Sequence, residues 1–179
     1  APTVTLAGSA SSIAENAGSA ITLTATLSNS TSADVTVTIT PSGAATEGTD
    51  YATISDITIS AGDTTGTASF TPTNDSTYEG DEAAAVAITG VSGGSATESG
   101  TQSVSITITD DESAPTVTLS AASSSILEDS GNSVVLTATL STATTATVTV
   151  SITPTGTATE GTDYATISDI TISAGSTTG

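Results

Sequence analysis

Acidic side chains set the chemistry that this chain can perform. Of its 179 residues, 19 are Asp or Glu and none is Lys, Arg or His, so the formal net charge is −19. Carboxylates can act as acid–base pairs or bind a hard divalent cation such as Ca²⁺. Because His and Cys are absent, no Ser–His or Cys–His nucleophile and no ordinary zinc site can form. We expect no enzyme activity, since carboxylates gathered around a cation leave no apolar cleft for a proton donor.

The charge also restricts the partners. Neutralising phosphates requires Lys or Arg, so we expect no nucleic-acid binding, and an anionic membrane would repel this surface. No apolar run approaches the roughly 20 residues of a membrane helix, so we expect no membrane insertion. The chain contains no Met, and no signal peptide precedes Ala1. We therefore expect a processed product or a section of a longer protein.

An internal repeat organises the chain. The hexapeptide Ala1–Leu6 returns at 114–119, and this offset of 113 aligns residues 1–66 with 114–179 without a gap, with 47 of the 66 pairs identical. Such a period is far too long for a solenoid and suits a β-sandwich of about 100 residues. We predict a complete repeat at 1–113 and the N-terminal part of a second repeat, strands A to D, at 114–179.

Within a repeat, apolar residues recur at every second position. Ile21–Leu27 and Val104–Ile108 alternate with Thr or Ser, which is typical of strands with one buried and one solvated face. No segment has a helical period, so the predicted class is all-β. The predicted strands are A at 3–8 (continuing to 14), B at 20–28, C at 34–41, D at 52–60, E at 66–73, F at 83–90 and G at 102–109.

Counting strands predicts that the carboxylates gather at one end. If successive strands alternate in direction, every second connection lies at the same end of the sandwich. The A–B, C–D and E–F connections and the end of strand G then share one end, which we call the near pole. It collects ten of the fourteen acidic residues of the first repeat: Glu15, Glu47, Asp50, Asp75, Glu79, Asp81, Glu82, Asp110, Asp111 and Glu112.

Carboxylates crowded together without a basic residue repel one another. At an effective dielectric constant near 20, two like charges about 4 Å apart cost roughly 4 kcal/mol. Ca²⁺ relieves this repulsion because it accepts six to eight oxygen ligands in flexible geometry, whereas Mg²⁺ demands a tighter octahedron. The near pole therefore predicts a site for Ca²⁺, about two to four ions per complete repeat.

The first repeat contains a set of short acidic or glycine-containing motifs: Ile13–Glu15, Ala45–Tyr51, Ile59–Gly62, Asn74–Asp75 with Glu79–Glu82, and Ile106–Glu112. Together these motifs resemble the Calx-β domain, a calcium-binding module of sodium/calcium exchangers and large bacterial surface proteins. The resemblance implies an immunoglobulin-like antiparallel β-sandwich. The expected fold class is thus all-β, with such repeats arranged head to tail.

The resemblance also implies a set of calcium ligands. They are Glu15, Asp50, Asp75, Glu79, Glu82, Asp110 and Asp111. Glu47 and Asp81 could lie beside the ions or bind them, and we include Asp81 among the candidates. In the second repeat Glu128 and Asp163 stand at the positions of Glu15 and Asp50.

The near pole is also the exit from the repeat, since Asp110–Ser113 leads directly to Ala114. Calcium bound there would stiffen the junction with the neighbouring repeat. We therefore expect a structural repeat of a long extracellular or cell-surface rod, such as an adhesin stalk or a matrix or biofilm filament. The alternatives are a calcium-sensing regulatory domain pair and a carbohydrate-binding surface module. The incomplete second repeat either continues in an array or receives its missing strands from another copy by strand complementation.

Overall fold

The computed structural model describes all 179 residues, which form strands and loops. None of it is a helix of the length and apolar character needed to cross a membrane. The chain divides into two compact units. The first comprises residues 1–75 and 80–111, and the second comprises residues 76–79 and 112–179.

The first unit contains nine strands in two sheets. They are β1 (Thr3–Gly8), β2 (Ser12–Ala14), β3 (Ile21–Leu27), β4 (Val35–Gly43), β5 (Ile57–Ile59), β6 (Thr65–Phe70), β7 (Glu82–Ser92), β8 (Thr97–Glu98) and β9 (Ser103–Thr109). One sheet has the order β6-β3-β1-β8 and the other has the order β2-β9-β7-β4-β5. This arrangement confirms the predicted all-β, immunoglobulin-like sandwich.

The alternating sequence pattern produces one continuous core between these sheets. In β3 the odd-numbered positions Ile21, Leu23, Ala25 and Leu27 are buried, while the intervening threonines face outward or lie at the margin. The Tyr51 and Phe70 rings stack in this core with centroids 4.6 Å apart. Tyr51 comes directly after Asp50, so its burial anchors one acidic loop to the core.

Four features of the first unit differ from the predicted strands. The predicted strand A, which was to continue to residue 14, is divided into β1 and β2, which lie in different sheets. Strand E, predicted to reach residue 73, ends at Phe70. Strand D is shorter than the predicted 52–60, because β5 covers only Ile57–Ile59. The two-residue strand β8 was not predicted, because so short a segment shows no alternation. Its pairing with β1 and the pairing of β2 with β9 are parallel, whereas the other strand pairs are antiparallel.

The Asp56 side chain forms hydrogen bonds to β4 at the point where the pairing of this strand is irregular. The register between β4 and β7 shifts between Thr38 and Ile39. The Asp56 carboxylate accepts hydrogen bonds from the Thr38 hydroxyl at 3.1 Å and from the Ile39 N–H at 3.2 Å. The second unit repeats this arrangement, since Asp169 accepts hydrogen bonds from Ser151 Oγ and from the Ile152 N–H. A bulge that leaves a backbone N–H without a ladder partner therefore gains a carboxylate acceptor.

The second unit has four strands in two pairs, in the order predicted for strands A to D. They are β10 (Val117–Ala121), β11 (Leu136–Leu140), β12 (Val148–Val150) and β13 (Ile170–Ile172), and β10 pairs with β11 while β12 pairs with β13. Ala138, Leu140 and Ile172 form its small buried core. Within this unit the Tyr78 N–H donates a hydrogen bond to the Ala143 carbonyl at 2.9 Å.

Replacing Asp56 by Ala should destabilise the fold by about 1–3 kcal/mol, because the N–H of the buried residue Ile39 loses its acceptor. Asp63→Ala is the matched control, since Asp63 is an exposed turn acid that the second repeat replaces with Ser176. The free energy of unfolding of both variants is measured by urea unfolding of the 179-residue chain, monitored by circular dichroism. Equal stabilities of the two variants would contradict a structural role for Asp56.

Candidate metal centre

Backbone hydrogen bonds gather the acidic segments of the first repeat at one end of the sandwich. The Glu15 N–H, just after β2, donates to the Thr109 carbonyl at the end of β9 over 2.9 Å. The Thr73 N–H, beyond β6, donates to the Asp50 carbonyl, also over 2.9 Å. The loop before β7 therefore begins beside the loop after β4, as the alternation of strand directions predicts.

Glu15 is the centre of one carboxylate cluster. Only 6% of this residue is exposed to solvent, which is uncommon for a charged side chain. Its Oε1 accepts the Asp75 N–H at 2.5 Å. Burial raises the pKa of Glu15, and the charges of Asp75, Asp110 and Asp111 raise it further, against the opposing effect of the Asp75 N–H. The fold thus holds this carboxylate where its charged form is disfavoured.

The exit segment lies against the same cluster. Asp111 Oδ2 accepts a hydrogen bond from Asn16 Nδ2 at 2.7 Å, and Asp110 Oδ2 accepts one from the Gly80 N–H at 2.5 Å. The Asp110 N–H in turn donates to Asp81 Oδ1 at 3.2 Å. Two different segments, the turn after β2 and the loop before β7, therefore orient the two consecutive aspartates that follow β9.

Asp50 and Glu82 form a second cluster. Burial raises the pKa of Glu82, as do the charge of Asp50 and a side-chain hydrogen bond between the two carboxyl groups, which requires a proton. Glu82 Oε2 is buried and receives no hydrogen bond from any N–H group or hydroxyl. A buried carboxylate oxygen without a donor is costly unless a cation or a proton satisfies it.

Each cluster brings two carboxylates of the first unit together. Their ligand oxygens lie within 4.8 Å of one another in two pairs, Glu15 with Asp111 and Asp50 with Glu82. One Ca²⁺ ion about 2.3–2.6 Å from each oxygen can bridge such a spacing. The chain has no basic side chain that could balance these charges instead. The donor set is therefore all oxygen and fits a hard cation.

The candidate residues divide into three groups. Glu15, Asp50, Glu82 and Asp111 belong to the two clusters of the first unit, and Asp75 and Asp110 lie close enough to Glu15 to affect its pKa. Glu79 belongs to the second unit. Asp81 is in neither cluster, and its carboxylate accepts the Asp110 N–H. Whether each of these residues binds metal stays a prediction.

The second unit does not bring its two candidates into a group of three carboxylates. Glu128 and Asp163 are both exposed, and both line a surface cavity of about 660 Å³. Asp163 Oδ2 accepts the Thr159 N–H at 2.6 Å, as Asp50 Oδ2 accepts the Thr46 N–H at 2.5 Å. The loop that carries Asp163 is therefore formed without an acidic partner.

One residue that shapes the site was not among the candidate ligands. Asn16 orients Asp111, and nothing in the sequence distinguished this amide from other polar residues of the same turn.

The fold and site define a tandem β-sandwich protein with carboxylate clusters at one end of its complete repeat. The family model described as Calx-beta domain matches residues 1–112 and again residues 110–175. The chain therefore belongs to the Calx-beta domain family, which confirms the resemblance seen in the sequence. No curated protein matches the chain.

Solved structures share this fold. A crystal structure of the apo-form Calx CBD1 domain has a TM-score of 0.51 and 16% identity, over 62% of this chain and 99% of that one. A crystal structure of CBD12 from CALX1.2 has the same TM-score and identity, over 97% of this chain and 73% of that one. Identity this low supports similarity of fold and no more.

The raised pKa values predict that the metal-free protein becomes more stable as the pH falls. Folding raises the pKa values of Glu15 and Glu82 above the ordinary value of 4.5. At pH values between 4.5 and the raised pKa values, the folded state therefore binds more protons than the unfolded state. Stability must then increase as the pH decreases through that interval. In chelator, the unfolding temperature measured by circular dichroism should be higher at about pH 5 than at about pH 7.5. An unfolding temperature that falls or stays level would contradict the burial of these carboxylates.

Proposed function

We propose that the first repeat binds Ca²⁺ through its two carboxylate clusters. The observation that carries this proposal is the burial of Glu15 and of the Oε2 atom of Glu82 among other carboxylates, in a chain with no basic side chain. A divalent cation converts this repulsion into attraction and supplies the missing partner of Glu82 Oε2. Membership of the Calx-beta family supports the same assignment.

Calcium suits these clusters better than magnesium. The ligands come from several separate loops and include carboxylates held by backbone N–H groups, so their geometry is irregular. Ca²⁺ accepts six to eight oxygens in irregular geometry, while Mg²⁺ requires a near-ideal octahedron and retains its water. Main-chain carbonyls and water can complete the calcium shell.

Bound calcium would stiffen the junction between successive repeats. Asp110 and Asp111 directly follow the last strand of the first repeat, and only three residues separate Asp111 from Pro115 in the second. An ion bound to these aspartates and to Glu15 would hold the exit segment against the body of the repeat. The proline further restricts the backbone that follows. A flexible acidic connection would thereby become a rigid one.

This mechanism suits a structural element of a long extracellular rod, such as an adhesin stalk or a matrix or biofilm filament. Closely similar tandem copies are expected of a spacer, and extracellular modules bind calcium weakly, with Kd on the order of 10⁻⁴–10⁻³ M. A calcium-sensing regulatory pair is the second candidate, which the similarity to the tandem structure of CBD12 favours. A sensor would bind in the range of about 10⁻⁷–10⁻⁵ M.

Removing the charge of Glu82 should weaken calcium binding and stabilise the metal-free fold. Glu82→Gln leaves Asp50 with one fewer repelling neighbour and gives it an amide that can donate a hydrogen bond. Calcium affinity measured by calorimetry should fall by about tenfold or more, while the unfolding temperature in chelator should rise. The exposed Asp63→Asn, which removes one charge in the D–E turn, should change neither. Wild-type protein that binds no calcium would refute the proposed function. If wild-type protein does bind calcium, its Kd distinguishes the stalk from the sensor.

Chelation should change the shape of the protein in solution. Small-angle X-ray scattering of the 179-residue chain should give a larger maximum dimension and less flexibility in saturating calcium than in chelator. Magnesium at the same ionic strength is the control for general charge screening. A scattering profile that chelation leaves unchanged, in protein shown by calorimetry to bind calcium, would contradict the rigid junction.

A further inference from the structure

The loop that carries Asp50 is closed by hydrogen bonds at both ends. The Asp50 N–H donates to the Thr46 carbonyl at 2.9 Å, and Asp50 Oδ2 accepts the Thr46 N–H at 2.5 Å. The Glu47 side chain reaches across the base of the loop, where Oε1 accepts the Ile54 N–H at 2.7 Å. Gly48, whose φ of +86° favours glycine, allows the turn between them.

The second repeat builds the same loop from the equivalent residues. Glu160 Oε1 accepts the Ile167 N–H at 2.6 Å, and Asp163 Oδ2 accepts the Thr159 N–H at 2.6 Å. This copy has no group of three carboxylates around Asp163. The loop therefore takes its shape from its own hydrogen bonds and does not need a cation or an opposing acidic loop.

Glu47 differs from the candidate ligands in what its carboxylate does. It belongs to neither cluster, and its Oε1 is engaged with the Ile54 N–H. Ile54 is only 8% exposed, so its N–H needs an acceptor within the protein. Without Glu47 this donor would lose its partner, and the segment between Glu47 and Ile54, which contains Asp50, would lose the tie at its base.

We infer that Glu47 is a positioning residue for calcium binding, which holds Asp50 in its ligand geometry without contacting the ion. This inference rests on the proposed function of the same site. It assigns Glu47 a hydrogen-bond acceptor role in which its charge is dispensable. A ligand role would require the charge, so the two roles predict different results for the amide variant.

The test compares Glu47→Gln, Glu47→Ala and Glu98→Ala in the full chain. Gln keeps the side-chain oxygen that accepts the Ile54 N–H, so its calcium Kd should stay within about twofold of wild type. Ala removes the acceptor, and its Kd should rise about tenfold, as expected when a group that orients a ligand is lost. Glu98→Ala is the matched control, because Glu98 Oε1 accepts the Gln102 N–H at 2.6 Å and lies in β8, away from the clusters.

Calorimetry gives the calcium affinities, and circular dichroism in chelator gives the unfolding temperatures. We expect both alanine variants to lose stability and only Glu47→Ala to lose affinity. Equal losses of affinity in Glu47→Gln and Glu47→Ala would make Glu47 a ligand and overturn the inference. An unchanged affinity in Glu47→Ala would reduce its role to fold stability, and a loss in Glu98→Ala would show a general effect of unfolding. Wild-type protein without calcium binding would instead refute the proposed function itself.

Discussion

Uncompensated negative charge is the constraint on which the first repeat depends. The chain contains 19 acidic residues and no basic side chain, so no internal ion pair can relieve the repulsion where strand ends meet. The sheets nevertheless hold Glu15 beside Asp111 and Glu82 beside Asp50. Both glutamates have raised pKa values, which shows that their charged forms are disfavoured in the folded chain. The core between the sheets must stabilise the fold enough to offset this cost, and a proton or a cation reduces it.

Backbone donors limit how far the carboxylates can move apart. Side-chain oxygens of Glu15, Asp50 and Asp110 each accept a hydrogen bond from a loop N–H at 2.5 Å. Each of these hydrogen bonds orients a carboxylate through one of its two oxygens and leaves the second oxygen available for another interaction. The backbone itself therefore orients these carboxylates, and preorganised side chains avoid part of the ordering cost of binding a ligand. The repeated hydrogen bonds around Asp163 support this view, because they form without a cluster.

The fold was predictable because its signal is local and repeated. The alternation of apolar and polar residues in Ile21–Leu27 correctly indicated β3. The alternation of strand directions correctly placed the segments of Glu15, Asp50 and Asp110 at one end of the sandwich. Local patterns could not reveal long-range contacts. The hexapeptide Ala1–Leu6 recurs at 114–119, yet Val4 is fully buried while Val117 is 42% exposed, since burial depends on what the opposing sheet provides. For the same reason, the alternation of strand directions identified the end that carries the carboxylates but did not predict which carboxylates would lie next to each other.

The structure separates two roles that the sequence presents alike. Acidic residues of the first repeat all carry the same charge, but Asp56, Glu47 and Glu98 accept backbone N–H groups that would otherwise lack acceptors. These carboxylates stabilise irregular backbone, and a neutral side-chain oxygen could replace them. Glu15 and Glu82 instead face other carboxylates, where charge itself destabilises the metal-free fold. A site of this kind gains affinity for cations from the same repulsion that weakens the empty protein, so stability and binding should respond in opposite directions when a clustered charge is removed.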